Sequence, residues 1–154
     1  MRRTLVLALA LVAFGCAKEA PDDQAVNFLY YGGTIVTHGE GAAQVEAIAV
    51  QGGKVVDMGT FQNMHDTHAG PMTRMIDLQG GVMLAGVVDP PQAADISAVL
   101  STLTHEASGH ATIAIGEPAN FVVFNRSPLT SHDNTDLRVM QIVRDGEIVF
   151  RAHE

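Results

Sequence analysis

A single cysteine, Cys16, occurs in the 154 residues, so no intrachain disulfide can brace the fold. Basic residues are scarce and scattered: nine Lys and Arg stand against seventeen Asp and Glu, for a formal charge of −8. A polyphosphate backbone is recognised by clustered cations, and their absence from the sequence speaks against nucleic acids and anionic lipid headgroups as partners. The apolar run at 5–14 is too short to span a bilayer as a helix. Also missing are the G-x-S-x-G nucleophile elbow, the P-loop glycine pattern and, after Cys16, any cysteine for nucleophilic work.

What is present is globular composition, with 47% apolar and 17% charged residues. A chain of this length can bury roughly two thirds of its unfolded surface around one core. Residues 1–15 belong to targeting. Arg2 and Arg3 precede the apolar run, which stops at "AFGC". That order resembles the lipobox of bacterial lipoproteins, with Ala13 in place of the more usual Leu, and the resemblance implies that Cys16 is lipidated and becomes the mature N-terminus. The alternative is an ordinary signal peptide with Cys16 left free. Lipidation would explain the lone thiol and anchor the chain stably, because each buried methylene contributes about 0.8 kcal/mol. Removing 1–15 leaves 139 residues and takes the formal charge to −10. Residues 16–27 are polar, as a tether would be. The expected location is a bacterial membrane, periplasm-facing, with Ala17 compatible with sorting to an outer membrane.

From Phe28 onward, short β-type runs are broken by glycine pairs: "FLYYGGTIVT", "AIAVQGGKVVDMG" and "IVRDGEIVF". Each predicts two strands joined by a tight turn, Asp145-Gly146 being the strongest hairpin signal. Further strands are expected at 73–78, at 82–84 and at 120–124, the last apolar on both faces. Helical patterns cover 61–66 and 95–106, where Ile96, Val99, Leu100 and Leu103 share one face. The polar segment 125–136 reads as an exposed connection. The predicted fold is mainly β: a composite β-sandwich over 28–152, its N- and C-terminal segments joined by one short helix.

The order "GGTIVT", "AIAVQGGKVVDMG", "TRMIDLQGGVMLAGVVD", "ATIAIGEPANFVVFNRSPLT" and "RVMQIVRDGEIVFRA" resembles the amidohydrolase superfamily, metal-dependent hydrolases of cyclic amides and related C–N bonds. The resemblance implies that the two chain ends form a small composite sandwich while a long middle forms a (β/α)8 barrel holding zinc or a similar divalent metal. It covers nearly all of 28–152 and is most specific over 74–89. At the end of the first barrel strand, however, the family's two histidines are replaced by Pro91 and Ala93. Neither side chain has a donor for a metal. Pro90 and Pro91 also remove two backbone donors, so the strand is expected to stop there. The segment 96–109 then resembles the family's final barrel helix, with everything between missing, including the substrate-specifying loops.

The chemistry left over is sparse. His65 and His68, with Asp66 between them, form the one close pair with metal-like spacing, weighed against solvated loop histidines. His105 and His110 lie five positions apart and share no helical face, and Glu106 beside His105 is read as solvated. Asp89 is expected to cap the following turn or helix. Asn120 stands where the family commonly has Asp. The expectation is therefore a lipoprotein sandwich that is non-catalytic by itself and has no metal or cofactor of its own. One alternative is one part of a split amidohydrolase whose barrel is a separate chain. Another is a binding or homo-oligomerising module that uses an uncovered sandwich face.

Overall fold

The computed structural model describes residues 26–37, 44–107, 112–129 and 135–152, without the side chains of 105–107. Chain order is β1 (Phe28–Val36), β2 (Gln44–Gln51), β3 (Lys54–Gly59), α1 (Phe61–His68), β4 (Arg74–Asp77) and β5 (Val82–Ala85). A 3₁₀ turn (Pro90–Ala94) and α2 (Ile96–Ala107) follow, then β6 (Phe121–Phe124), β7 (Val139–Arg144) and β8 (Glu147–Arg151). The fold is mainly β, as predicted.

The strands hydrogen-bond in the order β3-β2-β1-β5-β6-β7-β8, with β4 also beside β1. The pivot is β1. The sequence predicts two strands around Gly32-Gly33, but the chain runs on as one, antiparallel to β2 throughout. Its first half pairs in parallel with β4 and its second half with β5. Gly32 has a φ of 75° and a Cβ there would strike the Asp77 carboxylate, while a Cβ on Gly33 would strike the Gly81 carbonyl. The glycines thus make a bulge and not a turn, and the bend lets one strand serve two neighbours. The other two hairpins form as predicted. Gly52 and Gly53 (φ 56° and 82°) and Asp145 and Gly146 (φ 48° and 76°) have the paired positive φ values of two-residue turns that match strand twist.

Bent in this way, the sheet folds on itself. Tyr30 and Ile48 from its first part share a core with Phe121, Val123 and Val143 from its last, and the Tyr30 ring meets the Phe121 ring edge-on at 5.0 Å. Each outer face then carries a helix. Met64 of α1 packs on Leu29, Ala47 and Ala49, and Val99 and Leu103 of α2 pack on Val122, Phe124 and Ile142. This explains why 121–124 is buried on both faces, Phe121 and Val123 inside the sandwich and Val122 and Phe124 under α2. Side chains buried so fully contribute about 1.5–3 kcal/mol each.

Both helices begin at side-chain caps. The Thr60 hydroxyl accepts from Asn63 N–H at 3.4 Å at the start of α1, and Asp95 Oδ1 accepts from Ala98 N–H at 3.1 Å at the start of α2. Asp95 is therefore the cap of the expected helix and not its first turn. β8 contains a bulge that opposes Ile148 to Val143 and Phe150 to Ile142, leaving Val149 as the extra residue. The bulge turns Ile148 to the inner core and Phe150 to the α2 side. None of the described helices is long and apolar enough to cross a membrane.

Candidate functional site

The junction after β5 holds the positions where the resemblance places metal ligands. β5 ends at Ala85, before the prolines; Gly86, at a φ of 151°, still donates its N–H to the Asn120 carbonyl at 3.1 Å, the next pair in the β5–β6 register. Pro90 and Pro91 accordingly do not stop the strand; they open the 3₁₀ turn, where a missing N–H leaves no bond unmade. Asp89 occupies the N-cap position of that turn, and Gln92 Oε1 accepts from its N–H at 3.3 Å. Its carboxylate accepts from Arg144 Nη2 at 2.7 Å, and the same nitrogen donates to the Val88 carbonyl at 3.2 Å. The pair is well exposed, so its direct contribution is at most about 1 kcal/mol, and its effect is to hold the junction against β7.

Pro91 is exposed whereas Ala93 is 7% exposed and packed among Val88, Val99 and Leu103. The two positions do not face one site. Imidazoles at both would place one ring in solvent and force the other into a filled core.

The histidine pair on α1 also diverges. His65 Nδ1 lies 3.4 Å from Asp66 Oδ1 on the exposed side, with its ring 5.7 Å from that of Phe61. His68 turns the other way, its Nε2 2.8 Å from Asp57 Oδ2 on β3, where it ties the end of the helix to the sheet. The Asp66 carboxyl is held below its ordinary range by the side-chain bond from Gln62 and then by His65. Among the described residues, no three His, Cys, Asp or Glu side chains are placed to hold one metal ion. Cys16, His110 and the side chains of His105 and Glu106 lie outside the described residues.

Two features escaped the sequence reading. Asn120 is a strut: its Oδ1 accepts from Asp145 N–H at 2.7 Å and fixes the β7–β8 turn. The second is an open cleft of about 1040 Å³ at one end of the sandwich, between the start of β1, the β2–β3 and β7–β8 turns and the segment before β4. Its walls carry Lys54, Arg74 and Arg151 together with Phe28, Met72 and Ile148. The two turns touch at its base, where a Cβ on Gly146 would lie 2.7 Å from Gly53 Cα. Arg74 stacks over the Phe28 ring at 5.3 Å. No spacing rule announces this cleft, since its residues come from five separate segments.

No family model matches the chain, and no curated protein matches it either.

Proposed function

We propose that the chain is a non-catalytic sandwich module, resembling the composite domain of amidohydrolases without their barrel, and anchored to a membrane through Cys16. The observation that carries this reading is the packed junction at 86–95. Val88 and Ala93 are buried beneath α2, Asp89 is tied to Arg144, and Asp95 caps the helix that follows. A chain relying on a metal at this point would expose donors there, and Pro91 and Ala93 offer none. The separate-barrel alternative has less support, because α1 and α2 already cover the outer faces of the sheet.

The test is an assay of the purified full chain on cyclic amide substrates with zinc added, alongside thermal unfolding followed by circular dichroism. The expected result is no turnover and one cooperative strand-type transition. Turnover abolished by a chelator would overturn the non-catalytic reading. Anchoring is checked separately by incorporation of labelled palmitate, which Cys16→Ser should abolish.

A further inference from the structure

The cleft at the end of the sandwich gathers cations that the rest of the fold leaves unused. Residues 28–152 contain six basic residues, Lys54, Arg74, Arg126, Arg138, Arg144 and Arg151, against thirteen carboxylates. In so acidic a segment a cation has many potential partners, and Arg144 takes one in Asp89. Lys54, Arg74 and Arg151 take none: among the described residues, no carboxylate lies within ion-pair distance of any of the three. Asp145 and Glu147 line the same cleft and still stand apart from them. Half the basic residues of the segment therefore line one concavity without an ion pair among the described residues, three cations beside the two carboxylates.

A second observation comes from below. The Tyr30 hydroxyl is fully buried and has no hydrogen-bond partner among the described residues. Burial holds it in the protonated form, and the charges that oppose this effect are those of Arg151 and Arg74, two residues of the cleft wall. A buried donor left unsatisfied costs stability and calls for a reason. The third observation is apolar. Met72, on the cleft wall, is 86% exposed, the highest exposure of any bulky apolar side chain among the described residues, and Ile148 and Pro118 line the same cleft.

We propose that this cleft binds a small organic anion, its phosphate or carboxylate group held by Arg74, Arg151 and Lys54 and its apolar part laid against Met72 and Ile148. Guanidinium groups suit such oxyanions because their planar fork can donate two parallel bonds. A concave site with a few convergent polar groups and an apolar wall is the usual form of a small-molecule pocket. Three cations in a cleft differ from the extended basic track a nucleic acid needs, so the sequence-based exclusion of nucleic acids is kept, whereas that of anionic lipid headgroups is set aside for this cleft. The same chemistry is offered by a soluble alkyl phosphate and by a lipid headgroup.

The experiment is titration calorimetry on the full chain, in nonionic detergent with hexyl phosphate and inorganic phosphate as probes and after detergent removal with nanodiscs of phosphatidylglycerol or phosphatidylcholine. Each is repeated on the double variant Arg74→Gln, Arg151→Gln, whose exposed positions and retained amide groups favour normal folding. Hexyl phosphate binding at least about tenfold tighter than inorganic phosphate, weakened about tenfold or more in the variant and by added salt, supports a soluble ligand. Preference for phosphatidylglycerol nanodiscs that disappears in the variant supports a lipid source. Absence of binding in every arm, or binding unchanged by the variant, overturns the proposal. Should the variant fail to fold, amide shifts of the native chain decide: hexyl phosphate must move Gly52, Gly53 and Gly146, and perturbation confined elsewhere overturns the site. None of these outcomes depends on hydrolysis, so the cleft and the non-catalytic reading stand or fall separately.

Discussion

The two outer faces of the sandwich solve one problem with different materials. On the β1–β2 side, α1 rests on Leu29, Ala47 and Ala49; its one buried side chain, Met64, fills the space, with Phe61 stacked on Tyr31 at the edge. On the β6–β7 side, α2 rests on Val122, Phe124, Val139 and Ile142 and contributes Val99 and Leu103. Small residues on the sheet let the first helix lie close with one plug; bulky ones make the second interface an apolar layer in its own right. The polar ties follow suit. α1 is fastened at its end by His68 to Asp57, and α2 at its approach by Asp89 to Arg144. A face that buries more apolar surface is expected to suffer more from cavities.

The sharpest way to press this difference is a cavity on the α2 side. Phe124→Ala should destabilise by about 3–5 kcal/mol in urea unfolding, more than Met64→Ala on the α1 side. Equal losses would mean that the two faces are equivalent after all. Ala93→His comes next: an imidazole forced into the packed junction should cost about 1–3 kcal/mol and confer no zinc affinity, as judged by melting with and without the metal. Unaltered stability would show that the junction has room for a ligand, and the non-catalytic reading would lose its support.

The caps offer a finer comparison. Asp95→Ala and Thr60→Ala should each cost about 1 kcal/mol or less, with the Asp95 change the larger because its bond is shorter. The smallest effect at neutral pH is expected between the layers. Tyr30→Phe removes a buried hydroxyl that has no partner among the described residues and should leave stability unchanged or raise it by up to about 1 kcal/mol. Its signature lies in alkali. Burial raises the Tyr30 pKa far above its ordinary 10.0, so the stability tied to its protonated form is intact below that pH and declines as pH rises beyond it. Native protein should lose stability above about pH 10 more steeply than Tyr30→Phe, measured as melting temperature against pH.

Much of the fold is legible in the sequence where short-range chemistry decides the outcome. The Gly52-Gly53 and Asp145-Gly146 turns, both helices and the doubly buried strand at 121–124 follow from turn residues and period alone. Gly32-Gly33 misleads for a physical reason. A glycine pair permits a turn and equally permits a bulge, and the choice is made by β4 and β5, which pair in parallel with successive halves of β1. The prolines mislead in a similar way, since β5 ends before they are reached. Of the candidate sites, the sequence pairs His65 with His68 by spacing, but Asp57 on another strand draws one of them aside. The cleft is invisible for the converse reason, because Lys54, Arg74 and Arg151 become neighbours only once the sheet has closed.

The touching turns at the base of that cleft bear on when the fold can form. The tip of the β2–β3 hairpin meets the tip of the β7–β8 hairpin at Gly53 and Gly146, so two turns more than ninety residues apart complete one another. Contacts between such distant segments are entropically costly to reach and slow a folding reaction, commonly to milliseconds or seconds. The sandwich can shut only when the five residues of β8 have paired with β7.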